Sequence, residues 1–386
     1  MRFIQNVGIK SKSSGIHFYT FCTRMVIDLV NICHLSVEKK SQNLFDSEIG
    51  RKLSPNLSMT RTLKSTTMPH TSLAERYFTG SSKFPANTYQ VISMLFSPAY
   101  TTEYGQCFQC DSLEFMKQLP NNSISLVLTS PPFPMLSKKP YGNVSQSEYV
   151  EWFLPFSQEI KRILTDNGSF VLDLRNVYLP KQPVKSLYIY DLIIKLVREQ
   201  GYFLCQEFFF FNPTSMPCGQ WVTIQRIRCK DAVNHVFWLS KTPFPKAENK
   251  KILQPYAQVT RKRIAEGYEV KEGKKPSGHH VSRGLYKDNF GAISSNLLTI
   301  SNAESNSKYL NKCRELALTI HPARFPKQFA EFFIKFLTVE EGDTVLDPFS
   351  GSGTTPFVAQ SLGRKWLACE LMKEYVDASY YRFSEN

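Results

Sequence analysis

The chain has 386 residues, of which 42% are hydrophobic, and it carries a formal net charge of +14. This hydrophobic content is enough for a large core in one elaborated domain or two, and the positive charge favours an anionic partner. No run of eighteen apolar residues is free of charge, which argues against a transmembrane helix, and no signal-peptide pattern is present.

Nine cysteines are scattered along the chain. An odd, scattered set is typical of a reducing, intracellular setting, so we expect a cytoplasmic protein. Cys107 and Cys110 form a C-x-x-C pair, but no second pair or H-x-x-H completes a zinc set. We therefore predict no metal site.

The N-terminal residues 1–90 hold 12 lysines and arginines against 5 acidic residues, a net charge of +7. They are rich in Ser, Thr, Asn and Lys and lack sustained periodicity, which predicts a poorly structured basic extension over 1–94. Three explanations stay open. The extension is a disordered basic arm, an organellar targeting sequence, or sequence translated upstream of a true start at Met59, Met68 or Met94.

The next segment, 95–241, alternates apolar strands with helices. The predicted elements are strand 105–110, helix 112–119 capped by Asp111 or Ser112, strand 123–129, helix 147–164, strand 169–174 and helix 188–200. The aromatic strand 203–211 and the strand 234–241 are expected to form an antiparallel edge hairpin.

The C-terminal half divides into two segments. Residues 241–290 again hold 12 basic and 5 acidic residues, a net charge of +7, and periodicity is weak over 242–310. We interpret 242–310 as a smaller inserted domain that binds a polyanion. Segment 311–386 returns to helices and strands. Alternating strands and helices predict a doubly wound α/β fold with a mostly parallel sheet.

A Pro-Pro turn follows the strand that ends at Thr129. Pro131 and Pro132 stiffen this turn and remove two N–H donors, which leaves carbonyl oxygens and the Ser130 hydroxyl as acceptors. Acceptors on the two hydrogens of an exocyclic amine would draw its nitrogen toward tetrahedral geometry and localise its lone pair. Phe133 offers a face on which a nucleobase can stack. An ordinary loop between strand and helix is the alternative.

A glycine turn follows the strand that ends at Asp347. Gly351 and Gly353 permit unusual backbone angles, and Thr354 can begin a helix whose N–H groups face an anionic group. Ser352 lies between the two glycines. An ordinary tight turn is the alternative.

Glu370 supports a cofactor site at this turn. It lies seventeen residues after Gly353, at the end of the next predicted strand. An acidic residue there can accept hydrogen bonds from both ribose hydroxyls of a nucleoside cofactor. We expect Phe349 and Trp366 to pack near the adenine.

Both motifs resemble those of amino-methylating DNA methyltransferases. The sequence Leu-Thr-Ser-Pro-Pro-Phe at 128–133 resembles their catalytic motif, and its serine resembles the cytosine-N4 members. The stretch 347–355 resembles their S-adenosylmethionine motif, and 321–326 resembles their cofactor lid. The order of the motifs is that of the beta group. The resemblance implies a catalytic half over 95–241, a target recognition region over 242–310 and a cofactor-binding half over 311–386. Three further stretches resemble the Pvu-type modification methylases of restriction–modification systems: 149–153, 168–171 and 276–279.

The resemblance implies a Rossmann-like, S-adenosylmethionine-dependent fold. It also implies a site-specific DNA (cytosine-N4-)methyltransferase that flips cytosine out of double-stranded DNA. We expect such an enzyme to be associated with the nucleoid, not with a membrane, and to act as a monomer or weak dimer. A restriction endonuclease of the same specificity is an expected functional partner. Adenine-N6 methylation, RNA or protein methylation, and a non-catalytic DNA-binding relic are the alternatives.

The resemblance and the charge pattern together give the candidate residues. The catalytic set is Ser130, Pro131, Pro132 and Phe133. The cofactor set is Asp111, Thr129, Phe325, Asp347, Phe349, Gly351, Ser352, Gly353, Thr354 and Glu370. The DNA-contact set is Arg226, Arg228, Lys230, Arg261, Lys262, Arg263, Lys274, Lys275 and Arg283. For the basic residues, a solvated strand or helix face is the alternative.

Overall fold

The computed structural model describes residues 96–135, 142–267, 273–281, 287–302 and 307–383. The chain divides into two compact units, Met1–Ser72 and Leu73–Asn386, and every described residue belongs to the second. The predicted extension over 1–94 therefore lies outside the described residues. No helix in the described ranges is long and apolar enough to cross a membrane.

One mixed sheet organises the described unit. The strands are, in chain order, β1 Tyr100–Thr101, β2 Gly105–Gln109, β3 Ile124–Thr129, β4 Leu164–Leu174, β5 Phe203–Phe211, β6 Val233–Ser240, β7 Gly273–Lys274, β8 His280–Val281, β9 Leu297–Thr299, β10 Thr344–Asp347 and β11 Lys365–Glu370. The sheet order is β1-β2-β11-β10-β3-β4-β6-β5-β9, and β7 pairs with β8 separately. Strands β2, β11, β10, β3 and β4 are mutually parallel, so their carboxyl ends meet at one edge.

The described residues contain eight α-helices, and the first three match the helices predicted over 112–119, 147–164 and 188–200 to within two residues. They are α1 Ser112–Gln118, α2 Tyr149–Ile163, α3 Tyr188–Arg198, α4 Gln258–Ala265, α5 Lys308–Glu315, α6 Lys327–Leu337, α7 Thr354–Ser361 and α8 Lys373–Tyr380. Asp111, rather than Ser112, caps α1, because its Oδ1 accepts from the Leu113 N–H at 2.9 Å and the Glu114 N–H at 3.1 Å. Gly201, after α3, has the left-handed φ of +67° that favours glycine at a helix end.

Hydrophobic cores cover both faces of the sheet, because neighbouring strand residues point to opposite sides. On β3, Val127 belongs to one core, which contains residues of α1, α2 and α3. Leu126 and Leu128 belong to the other, which contains residues of α6, α7 and α8. Helices on both faces of a mostly parallel sheet confirm the doubly wound prediction.

The predicted antiparallel hairpin is present, since β6 pairs in antiparallel fashion with both β4 and β5. The short strand β9 then extends the sheet by pairing in parallel with β5. Strand β9 comes from the 242–310 segment. The start of that segment also contacts the main unit, because the Glu248 N–H donates to the Phe336 carbonyl at 2.9 Å. The division of the chain at 242 and 310 stays a prediction, and both ends of that segment pack on the main sheet.

Candidate active site

The Pro-Pro turn and the glycine turn lie side by side. Each follows a parallel strand, and β3 and β10 are neighbours, with Val345 opposite Leu126. The hydroxyl of Thr129, the last residue of β3, donates to Oδ1 of Asp347, the last residue of β10, at 2.8 Å. A buried hydrogen bond between residues 218 positions apart therefore joins the two turns.

A cleft of about 570 Å³ opens at this edge of the sheet, which is where doubly wound folds place their ligands. Eleven of the predicted catalytic and cofactor residues line it: Asp111, Ser130, Pro131, Pro132, Phe133, Phe325, Phe349, Gly351, Ser352, Thr354 and Glu370. The three others are Thr129, Asp347 and Gly353. Thr129 and Asp347 are 0% and 2% exposed and hold the two turns together, while Gly353 caps α7.

The glycine turn needs its glycines. Gly351 and Gly353 have φ of +52° and +72°, in the left-handed region. A Cβ on Gly351 would lie 3.2 Å from Cε1 of His321, so the ring of His321 packs directly against this backbone. The turn closes where the Gly353 N–H donates to the Ser350 carbonyl at 2.9 Å, and α7 then begins at Thr354.

Asp347 lies below the floor of the cleft. Its Oδ1 accepts from the Thr129 hydroxyl and also from the Phe349 N–H, at 3.2 Å. Burial raises the pKa of Asp347 to about 6, while these hydrogen bonds favour the ionised form and oppose the rise. The carboxylate therefore fixes the geometry of both turns at once.

Glu370 ends β11 on the other side of the glycine turn. Its Oε2 accepts from the Gly351 N–H and its Oε1 accepts from the Met372 N–H, both at 2.9 Å. Burial raises the pKa of Glu370, and these two backbone donors oppose the rise. Each oxygen keeps a second lone pair, so the carboxylate can also accept from hydroxyl groups in the cleft.

Asp173 is a site residue that the sequence analysis missed. It is 2% exposed, and its Oδ2 accepts from the Ser130 hydroxyl at 3.0 Å. The Asn234 side chain donates to Oδ1 at 3.0 Å and to Oδ2 at 3.2 Å. Burial raises the pKa of Asp173 to about 6, and the donors from Asn234 and Ser130 oppose that rise. All three side chains line the cleft, so the Pro-Pro turn has a buried carboxylate behind its serine.

His321 begins the stretch 321–326 that resembles the cofactor lid, and its ring packs against the backbone of the glycine turn. Burial lowers its pKa to about 4, so the ring is neutral at physiological pH. The ring makes an edge contact with Tyr375, with centroids 4.5 Å apart. Phe325, four residues later, lines the cleft and packs against Phe329.

Aromatic rings form the apolar wall of the cleft. Phe349 packs against Phe156 and Trp152, with centroid distances of 5.2 and 6.0 Å. The expectation that Trp366 would also reach this wall is wrong. Trp366 is 0% exposed in the core, where it stacks on Phe383 at 5.1 Å.

The cleft has features that fit S-adenosylmethionine. The Ser350 hydroxyl is buried at the glycine turn and has no hydrogen-bond partner among the described residues. The first N–H groups of α7 have no acceptor within the helix, and a helix N-terminus favours an anionic group such as a cofactor carboxylate. The Glu370 oxygens suit ribose hydroxyls, the aromatic wall suits a purine, and the volume suits a small-molecule ligand.

None of the predicted DNA-contact side chains that the structure describes lines this cleft. Arg226, Arg228 and Lys230 are exposed, and they do not form a strand face, because residues 225–232 are irregular and Arg226 has φ of +56°. Helix α4 carries Arg261, Lys262 and Arg263; the first two are exposed and the third is half-buried. Lys275 is exposed in the turn after β7, the side chain of Lys274 is not described, and Arg283 lies outside the described residues.

Comparisons with known proteins agree with this geometry. The family model N6_N4_Mtase, described as DNA methylase, matches residues 124–381. The chain is 46% identical over 291 residues to the type II methyltransferase M.PvuII of Proteus hauseri, covering 75% of this chain and 86% of that protein. It is 26% identical over 302 residues to M.ScaI of Streptomyces caespitosus, covering 74% of this chain and 83% of that protein. A solved structure titled PvuII DNA methyltransferase (cytosine-N4-specific) matches with TM-score 0.62 and 41% identity, covering 76% of this chain and 90% of that one.

Proposed function

The chain belongs to the N6/N4 family of DNA methylases, and we propose that it is a site-specific DNA (cytosine-N4-)methyltransferase that uses S-adenosylmethionine. The observation that carries this proposal is the 2.8 Å hydrogen bond from Thr129 to Asp347, because it places the Pro-Pro turn and the glycine turn at one cleft. A methyl donor and an acceptor amine have to meet in such a cleft for direct transfer.

The glycine turn and β11 form the proposed cofactor half. The N–H groups at the start of α7 and the Ser350 hydroxyl face the carboxylate, Glu370 accepts from the ribose hydroxyls, and Phe349 packs on the adenine. We place Asp111 and Phe325 at the edges of this half, where both line the cleft. When bound, S-adenosylmethionine supplies an electrophilic methyl group on a sulfonium.

The Pro-Pro turn forms the proposed base half. The Ser130 hydroxyl donates to Asp173, so its own lone pairs face the amine hydrogens, together with the Pro131 carbonyl. These acceptors localise the nitrogen lone pair, and Phe133 stacks on the extruded base. The amine nitrogen then forms the N–C bond as the C–S bond breaks in line. The surplus nitrogen proton leaves afterwards through Ser130 and Asp173 toward solvent.

Cytosine N4 is favoured over adenine N6 by the serine at position 130 and by the 41% identity to a cytosine-N4-specific enzyme. A non-catalytic relic is disfavoured, because Ser130 keeps its hydrogen bond to Asp173 and Asp347 keeps its bond to Thr129. The same base half would accept an adenine amine, so product identity is the deciding measurement.

Double-stranded DNA is the substrate, and we propose that exposed basic residues contact its phosphates: Arg226, Arg228, Lys230, Arg261, Lys262 and Lys275. A restriction endonuclease of the same specificity fits the type II relatives. One cleft holds both halves of the site, so one copy of the chain is sufficient for the chemistry, and we propose that it acts beside the chromosome as a monomer or weak dimer. The named relatives are bacterial proteins and give no support to an organellar targeting role for 1–94.

The test is product analysis. Unmethylated plasmid DNA is incubated with the protein and labelled S-adenosylmethionine, digested to nucleosides and separated by liquid chromatography with mass spectrometry. We expect N4-methyldeoxycytidine, and no label with the Asp347→Ala variant. Labelled N6-methyldeoxyadenosine would replace the cytosine assignment with an adenine assignment. If the wild-type protein produced no labelled nucleoside at all, the proposal would be overturned.

A further inference from the structure

Arg382 is an arginine buried directly beneath the glycine turn. It follows α8 and is 3% exposed, although arginine is rarely buried this deeply. Its Nε donates to the Ser352 carbonyl, and its Nη2 donates to the Ser352 hydroxyl at 3.1 Å. Two donors of one guanidinium therefore fix both the backbone and the side chain of the same turn residue.

An aromatic ring holds the guanidinium in this position. The Arg382 Cζ lies 4.0 Å from the centroid of Tyr309, which belongs to α5 and is 3% exposed. Stacking on an aromatic face is a stable arrangement for a guanidinium. Because the group is removed from water, its positive charge acts over a longer range than a surface charge would.

The same contact also shapes the turn. The Ser352 carbonyl and the Gly353 N–H belong to one peptide group, and that N–H donates to the Ser350 carbonyl at 2.9 Å. A cation bound to the carbonyl polarises the peptide and strengthens the bond that closes the turn. The turn that faces the cleft is thus held from behind by a positive charge.

We propose that Arg382 is a positioning residue for the carboxylate of the cofactor's methionine part. This inference rests on the proposed function, which places that carboxylate at the front of the same turn. Arg382 fixes the turn through Ser352 and adds a buried positive charge behind it, so it favours ligands that carry the carboxylate over ligands that lack it.

The experiment compares two nucleosides by isothermal titration calorimetry. S-adenosylhomocysteine carries the carboxylate, whereas 5′-methylthioadenosine lacks the whole amino-acid part, and neither has a charged sulfur. In Arg382→Gln, which retains a donor for Ser352 and removes the charge, we expect the affinity for S-adenosylhomocysteine to fall on the order of 10-fold. The affinity for methylthioadenosine should change less than about 3-fold, because the lost charge acts on the carboxylate.

Two further variants separate charge from structure. Arg382→Lys keeps the charge and should retain the preference for S-adenosylhomocysteine, which keeps the test decisive even where Arg382→Gln does not fold. Arg364→Gln is the matched control, because Arg364 is also part-buried and donates to Thr338 and Leu362 away from the cleft. It should leave both affinities unchanged.

Three outcomes would overturn the inference. They are equal losses for both nucleosides in Arg382→Gln, no loss for either, and loss of the carboxylate preference in Arg382→Lys. These results differ from a failure of the proposed function, in which the wild-type protein would bind neither nucleoside.

Discussion

The cleft and the outer basic residues are built in opposite ways. Asp173 and Glu370 line the cleft, and Asp347 lies below its floor. All three are buried, and each accepts hydrogen bonds from groups on neighbouring strands or turns. The outer basic residues are mostly exposed. On α4 their contacts are local, since Arg261 donates to the Tyr256 carbonyl and Lys262 lies 3.8 Å from Glu266. Arg228 instead donates to the more distant Pro183 carbonyl, at 3.0 Å. The folded core therefore fixes the chemistry in advance, whereas the contacts with DNA phosphates form only when DNA binds.

Asp347→Ala is expected to have the largest effect of any single change in the cleft. It removes an acceptor shared by Thr129 and the Phe349 N–H, so both turns lose their common anchor. Each hydrogen bond to a charged group contributes roughly 1.5–3 kcal/mol, so two such bonds correspond to a loss in cofactor affinity of at least about 100-fold. Calorimetric titration with S-adenosylhomocysteine measures this loss.

Asp343→Ala is its matched control. Asp343 is also buried, but it lies just before β10, at the opposite end from the cleft, where it contacts Lys246 and the Glu340 N–H. This variant should lower thermal stability and leave cofactor affinity within about 3-fold of wild type. Similar affinity losses in the two variants would mean that Asp347 acts only through stability.

Ser130→Ala is expected to distinguish the role of the base half of the cleft from that of the cofactor half. Losing a positioned acceptor for the amine should lower kcat on the order of 100-fold, while cofactor affinity stays within about 3-fold. Ser125→Ala is the control, because Ser125 lies on β3, the strand that ends just before Ser130, and its hydroxyl accepts from the Thr344 N–H without lining the cleft. Steady-state kinetics with duplex DNA give kcat, and a large loss of cofactor binding in Ser130→Ala would contradict the assignment to the base half.

The two turns were predictable because their constraints are local. Pro131 and Pro132 restrict their own backbone angles, and Gly351 and Gly353 adopt the left-handed angles that the motif indicated. Asp173 was not predictable in the same way. Its contact with Ser130 depends on the pairing of β3 with β4, which places Thr129 opposite Leu172, and no local pattern in the sequence states that register.

Trp366 shows why the position of a residue along its strand matters. It lies near the start of β11, four residues before Glu370, whereas the cleft opens at the carboxyl end. It also shares a core with Ala368 on the face covered by α6, α7 and α8. Strand β9 was missed for another reason, since a three-residue strand has too few residues to show an alternating pattern.

The pH dependence of turnover is expected to be a smaller effect with a clear sign. Asp173 has a pKa of about 6, and Ser130 needs the ionised form as its acceptor. At saturating cofactor, kcat should fall about 10-fold between pH 8 and pH 5. In Ser130→Ala, the residual kcat should change less between pH 8 and pH 5, because Asp173 then has no serine hydroxyl to orient.

Protein stability should not follow the same curve. The pKa of Asp173 and that of Asp347 are both raised above the unfolded value, so the folded state binds more protons than the unfolded state between about pH 4 and pH 6. These two carboxyls therefore stabilise the fold as pH falls through 6. We expect thermal unfolding, followed by circular dichroism, to show that these two carboxyls do not cause acid unfolding between about pH 4 and pH 6. If structure and activity were lost together over the same pH range, the role of Asp173 in turnover would be contradicted.

The outer basic residues should give the smallest single effects. Neutralising one exposed phosphate contact weakens DNA binding by a few-fold and lowers the slope of log affinity against log salt by about 1. We expect this for Arg261→Ala and for Lys262→Ala on α4, measured by fluorescence anisotropy with duplex DNA at several salt concentrations. Lys335→Ala is the control, because Lys335 on α6 pairs with Glu331 and lies outside the basic segments.

The slope of log DNA affinity against log salt concentration also tests where the DNA lies on the protein. If α4 borders the bound duplex, Arg261→Ala and Lys262→Ala lower the slope while kcat at saturating DNA stays at the wild-type value, since neither residue lines the cleft. If they change kcat and leave the slope unchanged, the outer basic residues act on the chemistry and the division between a preformed cleft and a DNA-dependent surface is wrong. If both the slope and kcat are unchanged, the basic residues of α4 are solvated and do not contact DNA. The duplex is then expected to lie beside residues 226–230.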